Sequence, residues 1–280
     1  MQWLIGRFLP VNASEHGPHL DYLTMLVHWL MLALFVGWGA YFVYVLFRFR
    51  SGRSPRASYA GARGQVSTYT EVGVALVEAV LLFAFAIPAW AKWVAPYPED
   101  SDPLVVRVVG EQFAWNVHYS GPDGVFGARR LELIDASTNP LGLDRDDPAA
   151  RDDVTTINQL RLPVQRPVTV LLSTKDVIHS FSLPVMRVKQ DAIPGLEIPV
   201  HFKAVKTSGD ERWEIACAQL CGLGHYRMRG FLDVLEPADF DAWMAAEVAK
   251  RMPAPEPEPE PEAAADPEGG AVEAATPQES

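Results

Sequence analysis

Two long apolar stretches near the start of the chain constrain its fold more than any other feature. The first runs from Tyr22 to Phe47 without a charged residue, which is longer than the ~20 residues needed to cross a bilayer. The second runs from Val72 to Trp93 and is interrupted by Glu78. A cleaved signal peptide is the alternative for the first stretch, but its apolar part would be shorter. We therefore predict a transmembrane helical hairpin over residues 21–96.

The loop between the two stretches predicts their direction in the membrane. Within the loop at about 48–69 there are five arginines, and its part from 48 to 63 contains no acidic residue. Short loops rich in arginine stay on the cytoplasmic side. The N-terminal segment 1–20 and everything after Pro96 are then outside, which predicts a multi-pass protein of a bacterial inner (plasma) membrane, surrounded by lipid, with a periplasmic domain.

The sequence after the hairpin changes to short runs of β-branched and aromatic residues separated by turn residues. Examples are LVVRVVG, RLELI and RWEIAC. Such runs predict an all-β domain over 97–236, an antiparallel sandwich or barrel of Greek-key type. The segment 237–252 has helical periodicity and predicts a C-terminal helix.

The last residues, 253–280, are dominated by Pro, Glu and Ala and predict a disordered acidic tail. This tail contains eight acidic residues and no basic one, so it accounts for most of the net charge of −11. No basic stripe is found elsewhere in the sequence. This charge pattern argues against nucleic-acid binding.

The chemistry of the chain is concentrated in one short segment, CAQLCGLGHYRM, from Cys217 to Met228. It holds the only two cysteines, together with His225, and a further histidine, His179, precedes it in DVIHSFSLP. A pair of cysteines by itself predicts a disulfide, a redox pair or metal ligands. Thiol, imidazole and thioether together favour copper, although zinc is compatible with the ligand types other than methionine. A mononuclear copper site leaves Cys221 without a role, whereas two thiolates bridging two coppers use both cysteines.

These segments, with VKQDAIPG between them, resemble subunit II of the haem-copper cytochrome c oxidases over nearly the whole chain before the tail. The resemblance implies a cupredoxin-like Greek-key domain behind a two-helix anchor. It also implies a dinuclear copper centre with bridging cysteines, one histidine on each copper and two axial ligands. The implied ligands are His179, Cys217, Cys221, His225, Met228 and the backbone carbonyl of Gln219.

The resemblance further implies an oxidoreductase activity that belongs to a complex. Electrons would come from a c-type cytochrome and pass to haem, which is held only by subunit I. In subunit I oxygen would be reduced to water and protons would be translocated. Other oxidase subunits would also be partners. Phe113 and Trp115 are candidates for accepting electrons from the donor. Glu71 is a candidate for the mouth of a proton path, and Asp191 for docking a basic cytochrome.

Two positions depart from the family's pattern. Gln219 stands where the family commonly has a glutamate that also binds magnesium or manganese, and Phe113 stands where the electron-accepting tryptophan is usual. A membrane-anchored copper-binding or copper-delivery protein is the alternative function. Copper-delivery proteins resemble thioredoxin and place the histidine after the cysteines, whereas His179 precedes them here.

Overall fold

The computed structural model describes residues 8–53, 56, 59 and 64–251. Within them, two helices are long and apolar enough to cross a membrane by length and composition, α1 (Gly17–Arg48) and α2 (Val66–Val94). One wide turn of π-helical geometry interrupts α2 at Leu81–Ala86. The predicted pair of apolar helices is therefore confirmed. Parts of the loop at 48–69 and the whole tail at 253–280 lie outside the described residues.

The chain after the hairpin forms two five-stranded sheets, in the order β3-β2-β1-β5-β8 and β4-β10-β9-β6-β7. The strands are β1 Leu104–Glu111, β2 Ala114–Tyr119, β3 Val154–Ile157, β4 Gln159–Pro163, β5 Pro167–Thr174, β6 His179–Leu183, β7 Val188–Ala192, β8 Ile198–Lys203, β9 Trp213–Cys217 and β10 Arg229–Leu235. A last helix, α3 (Pro237–Ala249), follows β10.

Two strand pairings differ from the antiparallel arrangement that the sequence suggested. β1 pairs with β5 in parallel, and β4 pairs with β10 in parallel. Between β1 and β5 the chain crosses to the second sheet to form β4, so it can return to the first sheet in the same direction. The other pairings in the described residues are antiparallel.

The segment RLELI does not form the strand that the sequence suggested. Leu131–Leu133 forms a single 3-10 turn in which Leu131 is 82% exposed. The Asp135 carboxylate accepts hydrogen bonds from the backbone N–H groups of Ser137 and Thr138. Such local bonds compete with a sheet ladder, and they close a compact loop here instead.

The core lies between the two sheets and continues beneath α3. Trp115, Tyr119 and Phe181 are fully buried within it. The Tyr119 hydroxyl accepts a hydrogen bond from the Arg161 backbone N–H at 2.8 Å, which joins β2 of one sheet to β4 of the other. α3 covers this end, because Trp243 packs on the Tyr119 ring with centroids 5.3 Å apart.

The segment before α1 ties the anchor to the β domain. The Ala13 N–H donates to the Val185 carbonyl, and the Ala13 carbonyl accepts from the Val205 N–H, each at 2.8 Å. The guanidinium of Arg187 donates to both carboxylate oxygens of Asp21 at 2.8 and 3.2 Å. We call these contacts the anchor clasp. They fix how the domain sits on the start of α1.

Candidate metal centre

The predicted ligands come together at one end of the second sheet. His179 is the first residue of β6 and Cys217 is the last of β9. Because these strands are antiparallel, with Phe181 opposite Cys217, His179 and Cys217 lie at the same end. The following loop returns through a short turn, His225–Arg227, and places Met228 immediately before β10.

The sulfur and nitrogen atoms form a compact cluster. The two cysteine sulfurs are 3.7 Å apart. Each faces its own imidazole, with Cys217 Sγ 3.9 Å from His179 Nδ1 and Cys221 Sγ 3.7 Å from His225 Nδ1. The Met228 sulfur is 3.7 Å from Cys221 Sγ. Both cysteines are free, so the disulfide interpretation finds no support here.

A backbone oxygen completes the cluster on the side of Cys217. The Gln219 carbonyl oxygen lies 3.2 Å from Cys217 Sγ, whereas the Gln219 residue itself is exposed. Met228, on the other side, is buried. Two thiols, two imidazoles, a thioether and a carbonyl form a soft donor set that fits copper. The residues present are therefore suited to the metal that the sequence suggests.

The surroundings of the two sulfurs disfavour a pair of bare thiolates. Burial, and then the neighbouring Cys217 thiol, raises the pKa of Cys221 to about 11. Two adjacent thiolates repel each other in a partly buried site, so both become ligands only when a metal ion supplies positive charge. The arrangement therefore suits a bound metal ion better than a pair of reactive thiolates.

Asp176 orients His179 and was not singled out from the sequence. Its Oδ1 lies 2.9 Å from His179 Nε2. Because a carboxylate only accepts, Nε2 carries the proton in the neutral ring and Nδ1 keeps its lone pair for a metal. Burial acts to raise the pKa of Asp176, but hydrogen bonds from His179 and from the backbone N–H groups of Gln112 and Val177 outweigh it and lower the pKa. The sequence signal for this role is the position of Asp176 three residues before His179 in DVIH.

The two aromatic candidates for accepting electrons occupy different positions. Phe113 is 39% exposed, and a Cβ at Gly224 would lie 2.4 Å from its ring, so the metal-binding loop can pack on Phe113 only with glycine there. Trp115 is fully buried, with its ring edge-on to His179 and centroids 6.0 Å apart. Only Phe113 reaches the surface; Trp115 can contribute only inside the domain.

The remaining predicted residues lie away from the ligand cluster. Glu71 is exposed on α2 and accepts a hydrogen bond from the Ser67 hydroxyl at 2.7 Å. Asp191 is exposed on β7, opposite Ser180 of β6. The proton-path and docking roles of these two acids stay predictions.

Several known proteins are similar in sequence to this chain. Residues 104–234 match the family described as cytochrome c oxidase subunit II, periplasmic domain. An alternative cytochrome c oxidase subunit 2 of Bradyrhizobium diazoefficiens is 31% identical over 81% of this chain and 79% of its own length. A heme-copper oxidase subunit 2 of Aeropyrum pernix is 28% identical over 78% of this chain and 88% of its own length.

Among solved structures, the periplasmic domain of subunit II of cytochrome oxidase of Bradyrhizobium japonicum is 29% identical, with a TM-score of 0.39. The match includes 98% of that structure's chain and 56% of this chain. The two-sheet domain behind two membrane-capable helices does not have the thioredoxin-like form expected of a copper-delivery protein. The chain belongs to the cytochrome c oxidase subunit II family, which makes it a membrane-anchored, copper-binding subunit through which electrons enter a haem-copper oxidase complex.

Proposed function

We propose that the ligand cluster holds two copper ions that share the sulfurs of Cys217 and Cys221. His179 and His225 would each hold one copper, and Met228 and the Gln219 carbonyl would supply the remaining ligands. The centre accepts electrons one at a time from a c-type cytochrome and delivers them to the haem of subunit I. In subunit I oxygen is then reduced to water, coupled to proton translocation.

One observation carries this proposal: the two sulfurs lie 3.7 Å apart, and each is close to a different imidazole. A single copper with one cysteine and two histidines would leave the second sulfur without a function. Two bridged coppers give both sulfurs and both imidazoles equivalent roles. The nearly equal sulfur–nitrogen distances of 3.9 and 3.7 Å support this symmetry.

The chain's own residues shield and orient part of the candidate ligand set. His179 is fully buried, oriented by Asp176 and packed against Trp115. Cys221 and Met228 are also buried. A copper pair supplies a one-electron carrier whose charge change is shared by two metals. A fixed ligand shell of this kind keeps structural change on electron transfer small, which favours rapid transfer.

The anchor determines where this chemistry takes place. With the arginine-rich loop inside, α1 and α2 would cross the inner membrane of a bacterium in contact with lipid, and the centre would face the periplasm. A soluble cytochrome can reach that side. Glu71, exposed near the start of α2, would lie close to the cytoplasmic surface, as the mouth of a proton path requires.

Histidine variants of the purified oxidase test the proposal. His179→Asn removes a ligand, whereas His201→Asn removes a half-buried histidine that bonds to Thr169 outside the cluster. We expect the first variant to lose copper from subunit II and most of its cytochrome oxidation, and the second to retain two coppers in this subunit. Full copper content in His179→Asn would contradict the assigned ligand set.

A further inference from the structure

Large, mainly apolar side chains are exposed next to the ligand cluster. Leu223 and Tyr226 are almost fully exposed in the loop that joins Cys221 to Met228, and Phe113 is partly exposed. Leu223 sits between two glycines at which an added Cβ would lie 3.2 and 2.4 Å from the Phe113 ring. We call Phe113, Leu223 and Tyr226 the donor face.

This face carries no excess of negative charge. The sequence from 217 to 232 contains two arginines and no acidic residue. Of the arginines, Arg229 is paired with Glu214 at 3.1 Å, and Arg227 is exposed. Among the described neighbours, the Asp176 carboxylate is engaged by His179, and Glu111 is paired with Lys175.

The exposed acid expected to meet a donor, Asp191, lies on β7 rather than on the metal-binding loop. Asp191 is accompanied on the same strand by exposed Lys189, which offsets its charge. A lysine-rich donor would therefore find no cluster of carboxylates at the donor face. The residues of the donor face themselves therefore supply little of the attraction that normally raises the association rate of charged redox partners.

We propose that the donor face binds a haem-bearing electron donor whose own contact surface, around its haem edge, is apolar and close to neutral. This proposal rests on the proposed function and specifies its partner. Large apolar side chains exposed together mark an interaction site, and their burial would bring the donor directly over the ligand loop. Association of this kind depends little on ionic strength, because screening acts only on charge.

Stopped-flow reduction of the copper centre in the purified oxidase tests the proposal. The probes are two reduced soluble cytochromes c, one lysine-rich and one with a near-neutral contact surface. Between ~10 mM and ~150 mM ionic strength we expect the second-order rate constant of the near-neutral donor to change less than about twofold. A lysine-rich donor that is faster at low salt and slows about tenfold or more over this range would overturn the proposal.

Serine variants locate the binding surface. Leu223→Ser and Tyr226→Ser should each slow reduction by the near-neutral donor on the order of tenfold, as truncation of a central interface residue does. Val125→Ser is the control, because Val125 is exposed beyond the far end of β2. Rates in the donor-face variants equal to that of the control would show that the donor binds elsewhere. Failure of those variants to assemble with subunit I would show that this face contacts subunit I, which would also contradict the proposal.

The copper signal separates the two proposals. If wild-type oxidase shows no two-copper spectrum, the proposed function fails whatever the salt dependence. If the spectrum is intact in all three serine variants, the rate constants report on donor binding alone.

Discussion

Replacement of Arg187 by alanine should loosen the anchor clasp without unfolding the β domain. The guanidinium is 12% exposed and donates to the Asp21 carboxylate and to the carbonyls of Pro10 and Pro184, the latter two at 2.8 and 2.7 Å. Breaking a fully buried pair costs ~3–5 kcal/mol. Because both side chains keep some contact with water, we expect the variant to lower the free energy of opening the clasp by about 2 kcal/mol. This corresponds to roughly a 30-fold larger open population.

Hydrogen exchange of the purified oxidase measures this opening. The amides of Ala13 and Val205 are bonded across the clasp, so both should exchange roughly 30-fold faster in Arg187→Ala. Arg166→Ala is the control, because Arg166 pairs with Asp102, whose side chain is 90% exposed, and such pairs contribute ~0–1 kcal/mol. Unchanged exchange at both amides in Arg187→Ala would refute the assigned role of the clasp.

Four further predictions concern the β domain. Asp176→Asn should weaken copper binding ~10-fold in a chelator competition, because Asp176 orients His179; unchanged affinity would contradict that role. Met228→Leu should shift the reduction potential in a redox titration while both coppers stay bound, and their loss would give Met228 a larger structural role. Gln219→Ala should keep its copper content by metal analysis, since only the backbone carbonyl faces the cluster; a missing copper would implicate the side chain. Burial lowers the pKa of His118 from 6.5, so below about pH 6.5 the unfolded state binds more protons than the folded state. The melting temperature should therefore fall as pH drops below about 6.5, and it should fall less in His118→Gln. An equal fall in both proteins would exclude His118 as the cause.

The membrane-capable helices and the cluster of candidate ligands were predictable because their signals are local. Long uncharged stretches identify membrane-capable helices by length alone, and α1 covers the whole stretch from Tyr22 to Phe47. Four of the candidate ligand side chains fall within twelve residues, and their chemistry narrows the choice of metal before any fold is known. His179 lies 38 positions before Cys217, and it was included because a copper site needs a histidine from a distant strand.

The features that escaped prediction depend on contacts distant in sequence. The parallel pairing of β1 with β5 is decided by where β4 lies in the second sheet. The role of Asp176 needed the backbone turn that brings its carboxylate to His179. The anchor clasp joins Asp21 to Arg187 across 166 positions, and no periodicity in either segment indicates this.

Electron paramagnetic resonance of the purified oxidase enriched in a single copper isotope tests the central claim most directly. We expect hyperfine structure from two equivalent copper nuclei that share one unpaired electron, because Cys217 and Cys221 lie close enough to bridge them. Cys221→Ser should remove this pattern. A spectrum from one copper nucleus in the wild-type subunit would contradict the shared centre.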